Sequence, residues 1–347
     1  MTTAIYIIIA IIVFGILIAV HELGHFIAAK SLGVKVNEFS IGMGPAILKR
    51  QKGETLYALR ALPIGGYCAM EGEDELSEDK RSFTSAKAWK RLIILVAGSF
   101  MNFLIGFIIV AILFSSATAF YTTTIRDFND EEVEQQSRLQ EGDKILEIDG
   151  ENIYIASDIS TFLSRAGSDR IDITVLRDGE RVELHDIELT YADFYGGVNL
   201  DITRATLGQK LKMSWYNSIG FVRLVRISLM DLFRGDVSVS DLSGPIGIVD
   251  VMTEMGTSAE SVEIAVENIA YLTAFIAINL AVMNMLPIPA LDGGRVFFLI
   301  VTTIVEKIRR KRIDPKYEGY IHMAGLFFFL GLMVFVAFND IVKIIGS

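Results

Sequence analysis

Two histidines four residues apart with a glutamate after the first, His21-Glu22-Leu23-Gly24-His25, form an H-E-x-x-H pentad. On a helix, positions i and i+4 share a face, so both imidazoles can reach one metal ion. Glu22 then stands beside the water that ion holds. Zinc lowers the pKa of such a water, and a carboxylate takes its proton as general base. A catalytic zinc also needs a third protein ligand and a fourth position open to water. The pentad follows sixteen apolar residues, Ile5 to Val20, and leads into Phe26-Ile27-Ala28-Ala29. Ionisable side chains at membrane depth are costly, so their presence there points to function rather than to a solvated helix end.

The third ligand has three candidates. His185 falls in a polar region on the far side of the membrane by the topology below. His322, at the start of the last apolar segment, stays open. Asp292 is favoured: it stands in Asn284-Met285-Leu286-Pro287-Ile288-Pro289-Ala290-Leu291-Asp292-Gly293. Pro287 and Pro289 break a helix there, and broken backbone at membrane depth survives only where it lines protein or water.

The elements that must position these groups follow from composition. The chain has 347 residues, 52% hydrophobic, with a mean hydropathy of +0.45. The apolar excess lies in Ala4–Val20, Leu92–Phe120, Ile269–Leu286 and Leu326–Phe338. With their flanks, these approach the roughly 20 residues that span hydrocarbon. The expectation is a polytopic α-helical membrane protein with about four transmembrane helices. Its amino terminus has no basic leader and no small-residue cleavage site, so it reads as a retained helix. Net charge is −10, concentrated between the second and third segments, which suits a water-exposed acidic domain and not a nucleic-acid surface. Cys68 is the only cysteine, which excludes an intrachain disulfide and a thiolate zinc site.

Basic residues orient the helices. Residues 30–91 carry eleven Lys and Arg, and Lys307-Ile308-Arg309-Arg310-Lys311-Arg312 follows the third segment. Both are expected to be cytoplasmic, with both termini and the long 121–265 region outside. Asp292 and the pentad then share a depth near the cytoplasmic side.

The expected order is residues 1–33 for the first helix, 34–91 for a cytoplasmic β-rich loop and 92–120 for the second helix. An extracytoplasmic α/β domain occupies 121–205 and an amphipathic connector 206–265. The third helix with its break covers 266–305, a basic loop 306–318, and the fourth helix and tail 319–347. Strands are predicted at Val34–Ile41, Thr55–Leu62 and Gly66–Met70, with turns at Gly42–Pro45 and Pro63–Gly66. In the outer domain Lys144–Ile148 and Ile153–Ile155 flank Asp149-Gly150, Ser157 caps a helix to about Ala166, and Ile171–Leu176 pairs with Arg181–Leu189 across Asp178-Gly179. Residues 207–234 space Leu207, Leu211, Trp215 and Ile219 helically among Lys210, Lys212, Arg223 and Arg226, as for a helix on the outer leaflet or one packed on a soluble domain.

The pentad and Asn284–Gly293 together resemble the H-E-x-x-H and N-x-x-P-x-P-x-L-D-G motifs of the site-2 proteases, intramembrane zinc metalloproteases. The chain is most similar to the bacterial regulator-of-sigma-E branch in its single-PDZ form, and the resemblance covers nearly the whole chain. It implies one Zn2+ per chain held by His21, His25 and Asp292, with Glu22 as catalytic base. It also implies that Gly42, Met43 and Gly44 belong to a membrane-reentrant β-loop offering a strand edge to substrate; an ordinary Gly-Pro turn is the alternative. Asn284, with Pro287 and Pro289, would lie at the substrate, where an amide can hold backbone or an oxyanion; interhelical glue is the alternative for Asn284, and the preferred reading for Asn102 and Asn279.

Gly142–Gly150 resembles a PDZ core, although Glu131–Leu139 lacks the usual apolar approach to it. Ser99 stands where the family has proline. Ser243-Gly244-Pro245-Ile246-Gly247 matches the branch without an evident role. The implied substrates are single-pass membrane proteins, such as anti-sigma factors or remnant signal peptides, cut in the bilayer of a bacterial cell membrane. A non-proteolytic PDZ-bearing scaffold or a metal transporter would leave Glu22 without a purpose.

Overall fold

The computed structural model describes residues 2–73, 77–166, 170–237, 244–309 and 316–346. Residues 310–312 of the basic run and Ser243 of the Ser243–Gly247 segment lie outside them. The chain divides into two compact units, Met1–Ile109 with Phe221–Ser347, and Val110–Gly220.

The first unit is built on α1, Thr2–Ser31. Ile5, Ile8, Ile12 and Ile16 form an exposed stripe at helical spacing, the inverse of a soluble helix and suited to lipid. Ala10 and Leu17 instead pack with Met252, Ile276 and Ala277. Among the described residues, four helices are long and apolar enough to cross a membrane: Ala4–Ser31, Ala88–Ser116, Val262–Asn284 and Gly319–Val336. The second lies in α2 (Ala88–Leu113) and a short 3-10 turn (Phe114–Ser116), so it begins and ends earlier than the expected 92–120. Ser99 is buried inside an unbroken α2.

Between α1 and α2 the expected three strands appear as two long ones, β1 (Val36–Lys52) and β2 (Thr55–Met70). The first half of β1 pairs antiparallel with Gly66–Met70, the second half pairs with Thr55–Leu62, and Glu38–Ile41 also align with Leu56–Leu59. The predicted turns at Gly42–Pro45 and Pro63–Gly66 are therefore bends within strands. Gly42, Gly44 and Gly65 take positive φ of 86°, 82° and 81°, which lets each strand change course without ending. Met43, Ile47, Leu48, Leu59 and Leu62 are exposed along this ribbon. At its base Glu71 accepts from Ser77, Asn37 and Lys35, and these bonds hold its carboxyl down at about 2.

The second unit carries a sheet in the order β7-β6-β4-β3-β8, with β5 beside β4. Its strands are β3 (Ala119–Phe128), β4 (Lys144–Ile148), β5 (Glu151–Asn152), β6 (Arg170–Arg177), β7 (Glu180–Glu188) and β8 (Val198–Arg204). Ile171, Ile173 and Val175 alternate inward, the period-2 signal of a half-buried strand. Both Asp-Gly turns place two consecutive residues at positive φ, as the tightest hairpins require. Two details differ from expectation. The strand after Asp149-Gly150 is Glu151–Asn152, not Ile153–Ile155. Helix α4 (Ala156–Arg165) is capped by Asp158, whose carboxylate accepts from the amides of Tyr154 and Ile155, rather than by Ser157.

Short helices α3 (Glu131–Ser137) and α5 (Tyr191–Gly197) complete this unit. Asp143 is fully buried, accepting from Arg177 Nε and Nη2 at 2.8 and 2.7 Å and from the Gln140 amide. Asp143→Ala should destabilise the unit by about 3 kcal/mol, because the partner charge loses its counter-ion. Faster proteolysis of this region in the full chain under mild denaturant would register the loss, and Asp143→Asn should be milder.

Helix α6 (Leu207–Arg234) turns Leu207, Leu211 and Trp215 outward and buries Met213, Ser214, Asn217 and Ser218. The connector adds a further helix, α7 (Pro245–Thr257), whose N-cap is Gly244 and whose first residue is Pro245. This gives Gly244 and Pro245 of the Ser243–Gly247 segment a role as a helix start. The expected third helix, 266–305, is two helices. These are α8 (Val262–Asn284) and α9 (Asp292–Arg309), followed by α10 (Lys316–Gly346).

Candidate metal centre

Counting 1.5 Å per residue, His21 lies about 26 Å along α1 from Ala4, a distance comparable with the roughly 30 Å thickness of a hydrocarbon layer. A helical start and two packed patches fix that stretch. Ala28 and Ala29 pack with Val36, Cys68, Met70, Ile94, Leu95 and Leu299, tying α1 to the ribbon, α2 and α9. The patch around Ala10 and Leu17 holds its other end.

Asp292 is brought to the pentad by the break between α8 and α9. Leu286 and Met285 amides bond back to Met283 and Val282, and Leu291 closes on Ile288. Ala290 takes a φ of +79°, costly for a residue with a Cβ. Its amide donates to His322 Nδ1 at 2.9 Å. His322, left open as a ligand by the sequence, thus supports the loop. Gly293 and Gly294 let the start of α9 fold onto it, since a Cβ on either would lie 2.3 Å from loop backbone. Gly325 of α10 does the same against Pro289. Arg295, one turn beyond Asp292, is ion-paired with Glu73, whose other oxygen accepts from the Met70 amide at the end of β2.

Three atoms converge. His21 Nε2 and His25 Nε2 are 3.2 Å apart, and Asp292 Oδ2 is 3.0 and 3.2 Å from them. Both histidines are nearly buried, at 9% and 7% exposure. His25 Nδ1 faces the Ile94 carbonyl at 2.8 Å and can only donate there, which leaves its Nε2 bare. Asp292 Oδ2 is buried without a hydrogen-bond donor. Three such atoms this close, in this little water, are held together by a shared proton or by a metal ion. Ligands about 2.0–2.1 Å from a tetrahedral zinc stand roughly 3.3 Å apart, and the observed triangle fits. His21, His25 and Asp292 are the one candidate metal cluster among the described residues.

Glu22, the next residue on α1, is partly buried, with His25, His21, Asp292 and Glu73 as its charged neighbours. A Cβ on Gly66 would come 3.2 Å from its Cγ, so that glycine admits the glutamate stem against β2. The remaining expected residues are dispersed. Asn284 closes α8, half-buried, and Pro287 and Pro289 lie in the break. Gly42, Met43 and Gly44 bend β1, with Met43 exposed. His185 is exposed and engages Asp172 and Glu183 in the other unit.

Helix α2 contributes groups that residue type did not announce. Ile94 acts through its carbonyl, and Gly98 through absence of a side chain: a Cβ there would lie 2.3 Å from His25 Nε2. Asn102, one turn on, is 1% exposed and faces His21. The spacing of four among 94, 98 and 102 was the available signal.

A buried two-histidine, one-carboxylate cluster with a glutamate beside it, carried by the membrane-length α1 and the start of α9, has the donor set of a metallohydrolase. The sequence pattern of Peptidase family M50 matches residues 9–332, and the chain belongs to this site-2 protease family and is a zinc metalloprotease. A Clostridium perfringens protein bearing a zinc metalloprotease name is 33% identical over 342 residues, covering 97% of this chain and 98% of its own length. A similarly named Fusobacterium nucleatum protein is 35% identical over 348 residues, with 97% and 98% covered. Zinc metalloprotease RasP of Bacillus licheniformis is 27% identical over 425 residues, covering 96% and 98%.

Proposed function

We propose that the chain is an intramembrane endopeptidase that cuts single-pass membrane proteins within the bilayer, near its cytoplasmic side. His21, His25 and Asp292 hold the zinc, which when bound polarises the scissile carbonyl and acidifies a water. Glu22 takes the proton of that water and delivers it to the leaving amine. The observation that carries this reading is the convergence of two imidazole nitrogens and a carboxylate oxygen one residue from a glutamate, with both histidines on a membrane-length helix.

The supporting groups follow the same logic. The bent β1–β2 ribbon, which exposes Met43, Ile47, Leu48, Leu59 and Leu62, suits a membrane-dipping edge that pairs with an unwound substrate through Gly42, Met43 and Gly44. Asn284, at the mouth of the proline break with Pro287 and Pro289, holds substrate backbone. A helix satisfies its own peptide groups, so substrates should carry helix-weakening residues at the cut. Anti-sigma factors and remnant signal peptides in a bacterial cell membrane are the expected class. Both termini and the 121–205 domain lie outside, where this PDZ-like module filters the substrate's outer portion. The exposed Leu207, Leu211 and Trp215 face of α6 rests on the outer leaflet.

Expression of Glu22→Gln in the native cell tests the reading. Single-pass proteins shortened on the outside should accumulate and co-purify with the variant. Equal levels of all membrane proteins in variant and wild-type cells would overturn it.

A further inference from the structure

The two imidazoles are held differently, and the difference concerns Asn102. His25 is oriented by a backbone carbonyl, an acceptor that cannot change character. His21 Nδ1 faces a side-chain amide, with Asn102 Nδ2 at 3.5 Å. The partner oxygen, Asn102 Oδ1, is buried with no hydrogen-bond partner. An unmet carbonyl oxygen at 1% exposure is destabilising. Simple interhelical glue would have used it.

The orientation of the amide decides the tautomer of His21. With Nδ2 donating to Nδ1, the ring proton sits on Nε2 and points at Asp292 Oδ2, 3.0 Å away. That arrangement closes the triangle with a hydrogen bond and leaves no lone pair for a metal. A half-turn of the amide about Cβ–Cγ exchanges Nδ2 for Oδ1 within the same volume. Oδ1 then accepts Nδ1–H, the orphaned oxygen is satisfied, and Nε2 is bare. Metal-binding histidines generally have their second nitrogen fixed by such an acceptor.

We propose that Asn102 is a positioning residue for the metal site, its Oδ1 selecting the His21 tautomer whose Nε2 can bind zinc. The inference rests on the zinc-protease reading for the identity of the metal, but its test requires no substrate. Asn102→Leu keeps the volume and removes the acceptor; Asn102→Asp keeps an acceptor in every orientation. Zinc affinity of the full chain in detergent is measured by competition with a chromophoric chelator. A cobalt(II) absorption spectrum and a thermal unfolding midpoint are recorded for each metal-free variant.

The expected result is a roughly 10- to 100-fold loss of zinc affinity in Asn102→Leu, with an altered cobalt spectrum and an unchanged metal-free midpoint. Asn102→Asp should bind within a few-fold of wild type. Zinc affinity in Asn102→Leu equal to wild type would overturn the proposal, as would a loss in Asn102→Asp as large as that in Asn102→Leu. A wild-type chain that takes up no zinc would remove the metal reading itself, a different failure visible in the first measurement.

Discussion

Glu22→Gln is expected to keep zinc at one per chain while slowing peptide hydrolysis by roughly 10²–10⁴-fold, the usual contribution of a positioned general base. Glutamine matches glutamate in size, so the stem keeps its place against Gly66 and the neighbouring imidazoles keep theirs. Only the ability to accept a proton disappears. The measurement pairs zinc content with cleavage of a membrane-segment substrate in detergent. Loss of zinc together with activity would make Glu22 a structural member of the site. Retained activity would remove it from the chemistry. A transporter using the same ligands would keep metal flux in this variant, since transit needs no base.

Gly98→Val should abolish zinc binding without unfolding the helices. The first added carbon would lie 2.3 Å from His25 Nε2 and 2.8 Å from His21 Cε1, inside the volume of the ligand atoms themselves. Relief requires either that α2 retreats, taking the Ile94 carbonyl from His25, or that the imidazoles rotate off their common point. Both destroy the triangle. Valine is well accommodated in a membrane helix, so the rest of α2 should stand. Gly106→Val is the control: its Cβ would press on Ile278 and the Ala274 carbonyl of α8, away from the ligands. It should lower stability and spare zinc stoichiometry. Zinc near one per chain in Gly98→Val would contradict the packing described.

Much of the site was legible because its signals are local. The spacing of His21 and His25 is a property of one helix, and hydropathy marks that helix from its own residues. Pro287 and Pro289 interrupt the third apolar segment by removing donors, so the break between α8 and α9 was readable, although its extent was not. The β ribbon was misread at Gly42–Pro45 and Pro63–Gly66 because glycine and proline signal a change of direction without saying whether pairing continues beyond it. Helix α7 hid in a connector whose only cue was Gly244-Pro245. His322 illustrates the limit from the other side. Histidine is a plausible ligand by type, but only the folded chain reveals that it holds Ala290.

The sequence by itself determined which atoms could meet a metal and which element carries each, because donor chemistry and helical period belong to single segments. Tertiary structure decided where Asp292 arrives, that a carbonyl orients His25 and that an amide faces His21 Nδ1. Those depend on groups distant in the chain that act without a chemical signature: a carbonyl at Ile94, an empty space at Gly98, an amide face at Asn102. Convergence is a relation between segments, and no single segment encodes it.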